Sequence, residues 1–241
     1  MNKPDLQSKI QQYFGKDLEA MSFANSYHNW IMDEIKNHLG KVVLEIGAGK
    51  GNFTEFLLSA DIKTLYSCEP SNNMFQLLKN RFAKDPRVIT TNETMMEFSE
   101  KREYPKLDTI VYINVLEHIE NDCEEIEKAH EALFPGGKLL IFVPALPKLM
   151  SNFDRKVGHY RRYSKQRLKN IVEIAGFKII NLRFFDFIGA FAWFLAMKIL
   201  RKDVINSSVI VYDKLFVPVV KALEKHFNLP FGKNLLLVAQ K

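Results

Sequence analysis

Two cysteines in 241 residues, Cys68 and Cys123, are too few for a disulfide framework or a four-ligand zinc site, and no metal ligand set is expected. A chain of this length can bury about 70–75% of its unfolded surface, so the core needs no staples. The first 20 residues lack the apolar centre of a secretory leader, which makes the cytoplasm the expected compartment. The most apolar stretch, 184–200, has an uncharged run of only 187–197, whereas a bilayer-spanning helix needs about 20 residues. No internal repeat, low-complexity tract or composition-marked linker divides the chain, so one domain over 1–241 is expected. What is in excess is positive charge, with 34 Lys and Arg against 28 Asp and Glu. Nine of those cations fall between Lys148 and Lys178, against Asp154 and Glu173, with aromatics interleaved. Such a patch either attracts phosphate, carboxylate, nucleic acid or an acidic membrane, or forms a solvated face.

The most informative stretch is 42–53. Val42, Val43, Leu44 and Ile46 around one carboxylate, Glu45, read as a parallel-sheet strand covered on both faces. Gly47, Gly49 and Gly51 follow in alternation, and a helix expected from about 52 to 60 starts beside them with its free N–H groups. The pattern E-x-G-x-G-x-G departs from the dinucleotide fingerprint G-x-G-x-x-G, whose third glycine comes one residue later. Three later blocks support a nucleotide-type cradle. The apolar run 64–68 ends in Glu69, Pro70 and Ser71, and an acidic residue about 20 residues after such a turn can accept hydrogen bonds from ribose hydroxyls. A strand beginning at Leu107 runs into Asn114, Val115, Leu116, Glu117 and His118. A helix end, a Pro-Gly-Gly turn at 135–137 and another buried strand complete the set. Alternation over 41–143 predicts a doubly wound α/β fold, with helices near 52–60, 71–83 and 122–133 and with Ser71 and Asn72 as N-caps. A helix over 164–175, closed by Gly176, and a strand over 177–185 continue the pattern.

These four blocks, in this order and spacing, resemble the class I S-adenosylmethionine-dependent methyltransferases. The resemblance covers 40–145 and, with the apolar strand at 234–241, most of the chain. It implies a seven-stranded, mostly parallel Rossmann-like sheet whose last strand is antiparallel, with helical insertions on the substrate side. It also implies S-adenosyl-L-methionine as cofactor and S-adenosyl-L-homocysteine as product. Residues 40–145 would form the cofactor-binding core, 1–39 a helical cap, and 145–163 and 186–232 the substrate-side insertions. Within the cap, Tyr13, Phe14, 21–23, Trp30 and Ile31 are expected to close over the cofactor. By the resemblance, Gly47, Ala48, Gly49 and Gly51 lie against the methionine and ribose, supported by Glu45. Glu69 takes the ribose hydroxyls beside Pro70. Met74 packs on the adenine or fills the core. The backbone of Asn114, Val115 and Leu116 meets the cofactor amino group. The Gly-Asp pair common after the third strand is absent, leaving Glu93 or the backbone near Thr94 for the adenine.

On the substrate side, residues 152–163 gather a carboxylate, a histidine, two tyrosines and four cations. His159 is a candidate base near neutral pH, and His118 is a second candidate or a structural residue. Arg161 and Arg162, flanked by Tyr160 and Tyr163, can hold phosphate or carboxylate, or else tie the loop down internally. The run 154–163, together with 19–30, resembles a bacterial subgroup associated with, or fused to, glycosyltransferases of cell-envelope glycans, although no glycosyltransferase domain is present. The apolar run 187–197 reads as an interfacial helix, a lipid-acceptor tunnel or a buried helix packed on 209–216 and 217–227, with Pro218 dividing the latter region. The expected activity is methyl transfer, on oxygen, to a small-molecule, glycan or lipid-linked acceptor, with peripheral contact to the inner membrane face. An RNA acceptor is the alternative; the Pro-Pro-aromatic motif of amino-methylating DNA enzymes is missing after the fourth strand. A nicotinamide-dependent oxidoreductase, disfavoured by the glycine spacing, and a non-catalytic cofactor-binding regulator are further alternatives.

Overall fold

A computed structural model describes residues 24–101, 104–195, 210–225, 227 and 229–241. Its seven strands are β1 (Val42–Ile46), β2 (Thr64–Cys68), β3 (Val88–Thr91), β4 (Leu107–Ile113), β5 (Leu133–Pro144), β6 (Lys178–Phe185) and β7 (Asn234–Gln240). They form one sheet in the order β3-β2-β1-β4-β5-β7-β6. β1 to β5 pair in parallel, and β7 runs antiparallel between β5 and β6. This is the doubly wound, seven-stranded arrangement that the resemblance implies. Chain order reverses between β1 and β4, which leaves a crevice outside their C-terminal ends.

Helices cover both faces: α1 (Asn25–Ile35), α2 (Asn52–Leu57), α3 (Asn72–Phe82), α4 (Met95–Glu100), α5 (Asp122–Ala132), α6 (Asn152–Lys156), α7 (Lys165–Ile174), α8 (Phe187–Trp193) and α9 (Val217–Glu224). Side chains alternate along each strand. Leu44 and Ile46 therefore join a core with Ile126 and Ala129 of α5 and Leu168, Ile171 and Val172 of α7. Val43 points the other way, into a core with Trp30, Ile31 and Ile35 of α1, Leu57 of α2 and Val220 of α9. Each fully buried Leu or Ile contributes about 1.5–3 kcal/mol, so this packing holds α1 although it lacks a local side-chain cap. Its first-turn N–H groups donate instead to the distant Asp213 carboxylate, Ser26 at 3.0 Å and Tyr27 at 2.8 Å.

Several expectations change. Trp30 and Ile31 do not close over the crevice; both are buried, with the Trp30 ring tilted against Phe185 at 3.9 Å between centroids. The proposed lid residues Tyr13, Phe14 and 21–23 lie outside the described residues. Pro-Gly-Gly does not precede β5 but bulges within it. The pairing steps from Leu107↔Leu133 to Thr109↔Lys138, and Gly136 supplies the φ of +87° this detour needs. The chain end pins the bulge, because Gly136 N–H donates to the Lys241 carbonyl and Lys241 N–H to that of Gly137. Ser71, not Asn72, occupies the cap position of α3, but its side chain makes no capping bond there. Pro218 does not break its region: it sits in the first turn of α9, directly after a π turn at Tyr212–Phe216, and the backbone stays helical across the junction. Among the described residues, no helix is long and apolar enough to cross a membrane.

Candidate active site

The glycine turn is fixed by the end of the neighbouring strand. Ala48 N–H donates to the Cys68 carbonyl at 2.9 Å, and Gly51 N–H closes the turn onto Ala48 at 2.8 Å. Gly49 N–H donates to Oε2 of Glu69 at 2.8 Å, while Oε1 of Glu69 accepts Ser71 N–H at 2.8 Å. The chain after β2 is thus folded so that Glu69 lies against the turn, held further by Asn92, whose amide donates to the Glu69 and Pro70 carbonyls. Burial pushes the Glu69 carboxyl up, against the hydrogen bonds from Ser71 and Gly49. The Ser71 hydroxyl is a third donor to this carboxylate, so of the four lone-pair sites on its two oxygens one is left for a ligand hydroxyl.

Two glycines are obligatory for close approach. Gly47 has φ +67°, and a Cβ there would stand 2.6 Å from Val115 Cγ2. That contact brings the segment after β4 against the turn. Asn114 begins this segment in a left-handed conformation, φ 54°, with its N–H on the Phe142 carbonyl. Gly51 has φ +84°, and a Cβ there would collide with Phe82 at 2.3 Å. Of the other cofactor candidates, Met74 is half-buried on the first turn of α3. Leu116 is buried, in a 3-10 turn with Glu117 and His118. Glu93 is committed to an ion pair with Lys101 and a hydrogen bond from Tyr104 at 3.2 Å, and Thr94 caps α4 reciprocally with Glu97.

Glu45 supports the turn from beneath. Its Oε2 accepts Thr54 Oγ1 of α2 at 2.6 Å and Ser67 Oγ of β2 at 3.2 Å. Burial raises its pKa from 4.5 to about 7, opposed by those two hydroxyls and reinforced by Glu69. Between these values the folded state holds a proton that the unfolded state has released. Stability from this group is therefore fully present below pH 4.5 and declines as pH rises to about 7. Glu125, pushed up to about 7 chiefly by burial, adds the same sign. Glu45→Gln is expected to flatten the decline by up to about 1.4 kcal/mol per pH unit, read from urea unfolding across that window. An unchanged slope would contradict the assignment.

The segment after β5 docks on the turn after β4. Tyr160 N–H donates to the Glu117 carbonyl at 2.8 Å, and Arg161 donates to the Ile119 and Glu120 carbonyls, each at 2.7 Å. Asp154, fully buried, is the hub of this segment. It accepts Ser151 N–H and Oγ, His159 Nδ1 at 3.0 Å, and Arg162 through Nε at 3.0 Å and Nη2 at 2.8 Å. Burial alone would raise its pKa; the bonds from His159 and Arg162 outweigh it and hold the carboxyl well below its usual range. Arg162 also lies over the Trp193 ring at 4.7 Å.

Direct substrate contact by Arg162 and Tyr163 is therefore corrected. Both are buried, and the Tyr163 hydroxyl donates to Asp122 at 2.8 Å and lies 3.2 Å from the Leu116 carbonyl. Arg161 and Arg167 share Asp122, and Arg162 pairs with Asp154, so three of the nine cations in the basic stretch are paired internally with two carboxylates. Tyr160 remains half-exposed. His118 packs edge-on to His159 at 4.6 Å, and burial, then His159, push its pKa down to about 3. Residues given no role from sequence are Glu117, Asp122 and Trp193, whereas Asp154 is the carboxylate of the alternative in which the loop is tied down internally. Asp154 carried one usable signal, the Ser-x-x-Asp spacing of a capping box at 151–154.

A glycine turn locked to a strand-end carboxylate at a sheet switch point, on a seven-stranded sheet with an antiparallel β7, defines the class I S-adenosylmethionine-dependent methyltransferases. The profile described as a methyltransferase domain matches residues 8–182, and the chain belongs to that family. It is 28% identical over 159 residues to an uncharacterized methyltransferase of Bacillus mycoides, covering 65% of this chain and 71% of that one. A solved S-adenosylmethionine-dependent methyltransferase from Archaeoglobus fulgidus aligns with TM-score 0.58 at 18% identity, over 89% of this chain and 94% of that one. The [4+2]-cyclase SpnF aligns with TM-score 0.60 at 15% identity, over 87% and 80%. At such identities the likeness shows the fold alone. The protein is an S-adenosylmethionine-dependent methyltransferase, and the remaining acceptor position of Glu69 beside a turn without side chains at Gly47 and Gly49 suits a ribose-bearing cofactor.

Proposed function

We propose that this methyltransferase acts on an oxygen of a lipid-linked glycan acceptor. The observation that carries this reading is Trp193, which joins the segment after β5 to an apolar surface. Its ring meets Phe153 at 5.7 Å and Arg162 at 4.7 Å. Beyond it, Phe191, Phe194, Leu195, Leu215, Phe216 and Phe227 are all about half-exposed or more. In α8 only Gly189 and Ala190 are buried, so the fully buried reading of 187–197 does not hold for its described part. Positions 196–209 lie outside the described residues. An apolar face of this kind suits a lipid tail or the membrane interface. The likeness of 154–163 and 19–30 to the glycosyltransferase-associated subgroup supports the glycan part. Internal pairing of Arg161, Arg162 and Arg167 removes much of the support for RNA.

In this reading 1–241 works as one domain, with 40–145 holding the cofactor and 145–163 and 186–232 receiving the acceptor. When bound, S-adenosylmethionine supplies an electrophilic methyl on a sulfonium. Gly47, Ala48, Gly49 and Gly51 would hold its methionine and ribose, Glu69 and Pro70 the sugar edge, Met74, Glu93 and Thr94 the adenine side, and Asn114, Val115 and Leu116 the opposite wall. The chain must align the acceptor oxygen in line with that methyl and exclude water. The acceptor oxygen is received at Glu117, His118 and His159, the last oriented by Asp154. Arg161, Arg162 and Tyr163 position this cluster, and Tyr160 is exposed enough to touch the acceptor.

A labelled methyl donor, incubated with separated envelope-lipid, aqueous glycan and RNA fractions, tests the proposal. Label should enter the envelope-lipid fraction and stay with the lipid-linked sugar by mass. Label confined to RNA, or to water-soluble products, would overturn it.

A further inference from the structure

Glu117, His118 and His159 form a cluster whose ligand-type atoms all lie within 4.8 Å of one another. Glu117 is fully buried, and its Oε1 is 3.9 Å from His159 Nε2. Both imidazoles are also held from behind. Nδ1 of His159 is 3.0 Å from Oδ1 of the buried Asp154, and the His118 ring hydrogen-bonds the Gly158 backbone. An outer carboxylate or carbonyl on the far side of each imidazole is the arrangement that orients histidines at metal sites. Gly158, at φ +89°, sits beside His159 and leaves its backbone close to His118.

We infer that Glu117, His118 and His159 bind a divalent transition-metal ion. Two imidazoles and one carboxylate are the donor set of a three-ligand site with coordination positions left over. Ions of this class sit about 2.0–2.2 Å from such donors, which requires the donors to close to roughly 3–3.5 Å, a contraction of up to about 1.5 Å from the 4.8 Å that bounds their present spacing. The positions left over would take an oxygen of the acceptor, so this inference rests on the acceptor-side reading of the cluster and sharpens it. With an ion in place, His159 is a ligand and not the free base expected from sequence. The low cysteine count does not reveal such a site, because it uses no thiolate and its donors come from separate segments.

The test is Co2+ binding by the full chain after chelator treatment, followed by visible absorption and by metal content after dialysis. S-adenosylhomocysteine affinity is measured on the same samples. The inference expects about one ion per chain, with ligand-field bands, and at least about tenfold weaker uptake in Glu117→Gln and His118→Asn. S-adenosylhomocysteine affinity should be retained in both variants, which shows that they are folded. His159→Asn should behave alike, but it also disturbs Asp154 and is read only alongside the other two. No Co2+ uptake by wild type that still binds S-adenosylhomocysteine would overturn the metal site and leave the cofactor assignment standing. Co2+ uptake unchanged in both variants would place the ion elsewhere and overturn it equally. Loss of S-adenosylhomocysteine binding by wild type would instead remove the methyltransferase reading itself.

Discussion

Glu69→Gln raises the Kd for S-adenosylhomocysteine by about two orders of magnitude, while the protein stays folded. Glutamine matches the shape but turns an amide N–H toward either Gly49 N–H or Ser71 N–H, both of which donate to Glu69 in the native protein. A donor facing a donor opens the turn, and the remaining carbonyl is a weaker partner for a ribose. Two orders of magnitude are about 2.7 kcal/mol, which the weakening of one charged ribose hydrogen bond, about 1.5–3 kcal/mol, supplies together with the loosened turn. Isothermal calorimetry on wild type and variant measures it directly. A change below about threefold would mean that Glu69 only braces the turn.

Asp154→Ala is the second large effect, and it concerns stability. The substitution leaves Arg162 buried without its carboxylate and removes the partners of Ser151 and His159. Breaking a buried pair in this way costs about 3–5 kcal/mol. Denaturant unfolding should show that loss, and replacing Arg162 by Met in the same chain should recover part of it, because the stranded charge is removed. A cost under about 1 kcal/mol would show that the pair is solvated and that Asp154 organises nothing.

The cofactor half was legible because its signals are local. Val42 to Gly51 encode strand and turn within one short run, and Glu69 follows at the end of the next strand in both sequence and sheet order. Alternating strands and helices gave the doubly wound class, and the family resemblance gave the seven strands with an antiparallel last one; the bulge at Gly136 and the register shift at Ile179 and Asn181 escaped, since they depend on pairing with the distant β7 and Lys241. The acceptor half was less legible because its partners are distant. Arg161 binds carbonyls at Ile119 and Glu120, Tyr163 binds Leu116, and Asp122 gathers Arg161, Arg167 and Tyr163. A row of cations looks like an anion site until its carboxylates are brought to it by the fold. Glu93 shows the same limit, since its pairing with Lys101 and Tyr104 depends on how α4 and the following loop return.

The central claim is that the crevice between the ends of β1 and β4 holds the methyl donor. A crystal structure grown with S-adenosylhomocysteine tests it most directly. The ligand should lie against Gly47, Ala48 and Gly49, with its ribose on Glu69. Ligand density at any other place, with this crevice filled only by water, would contradict it.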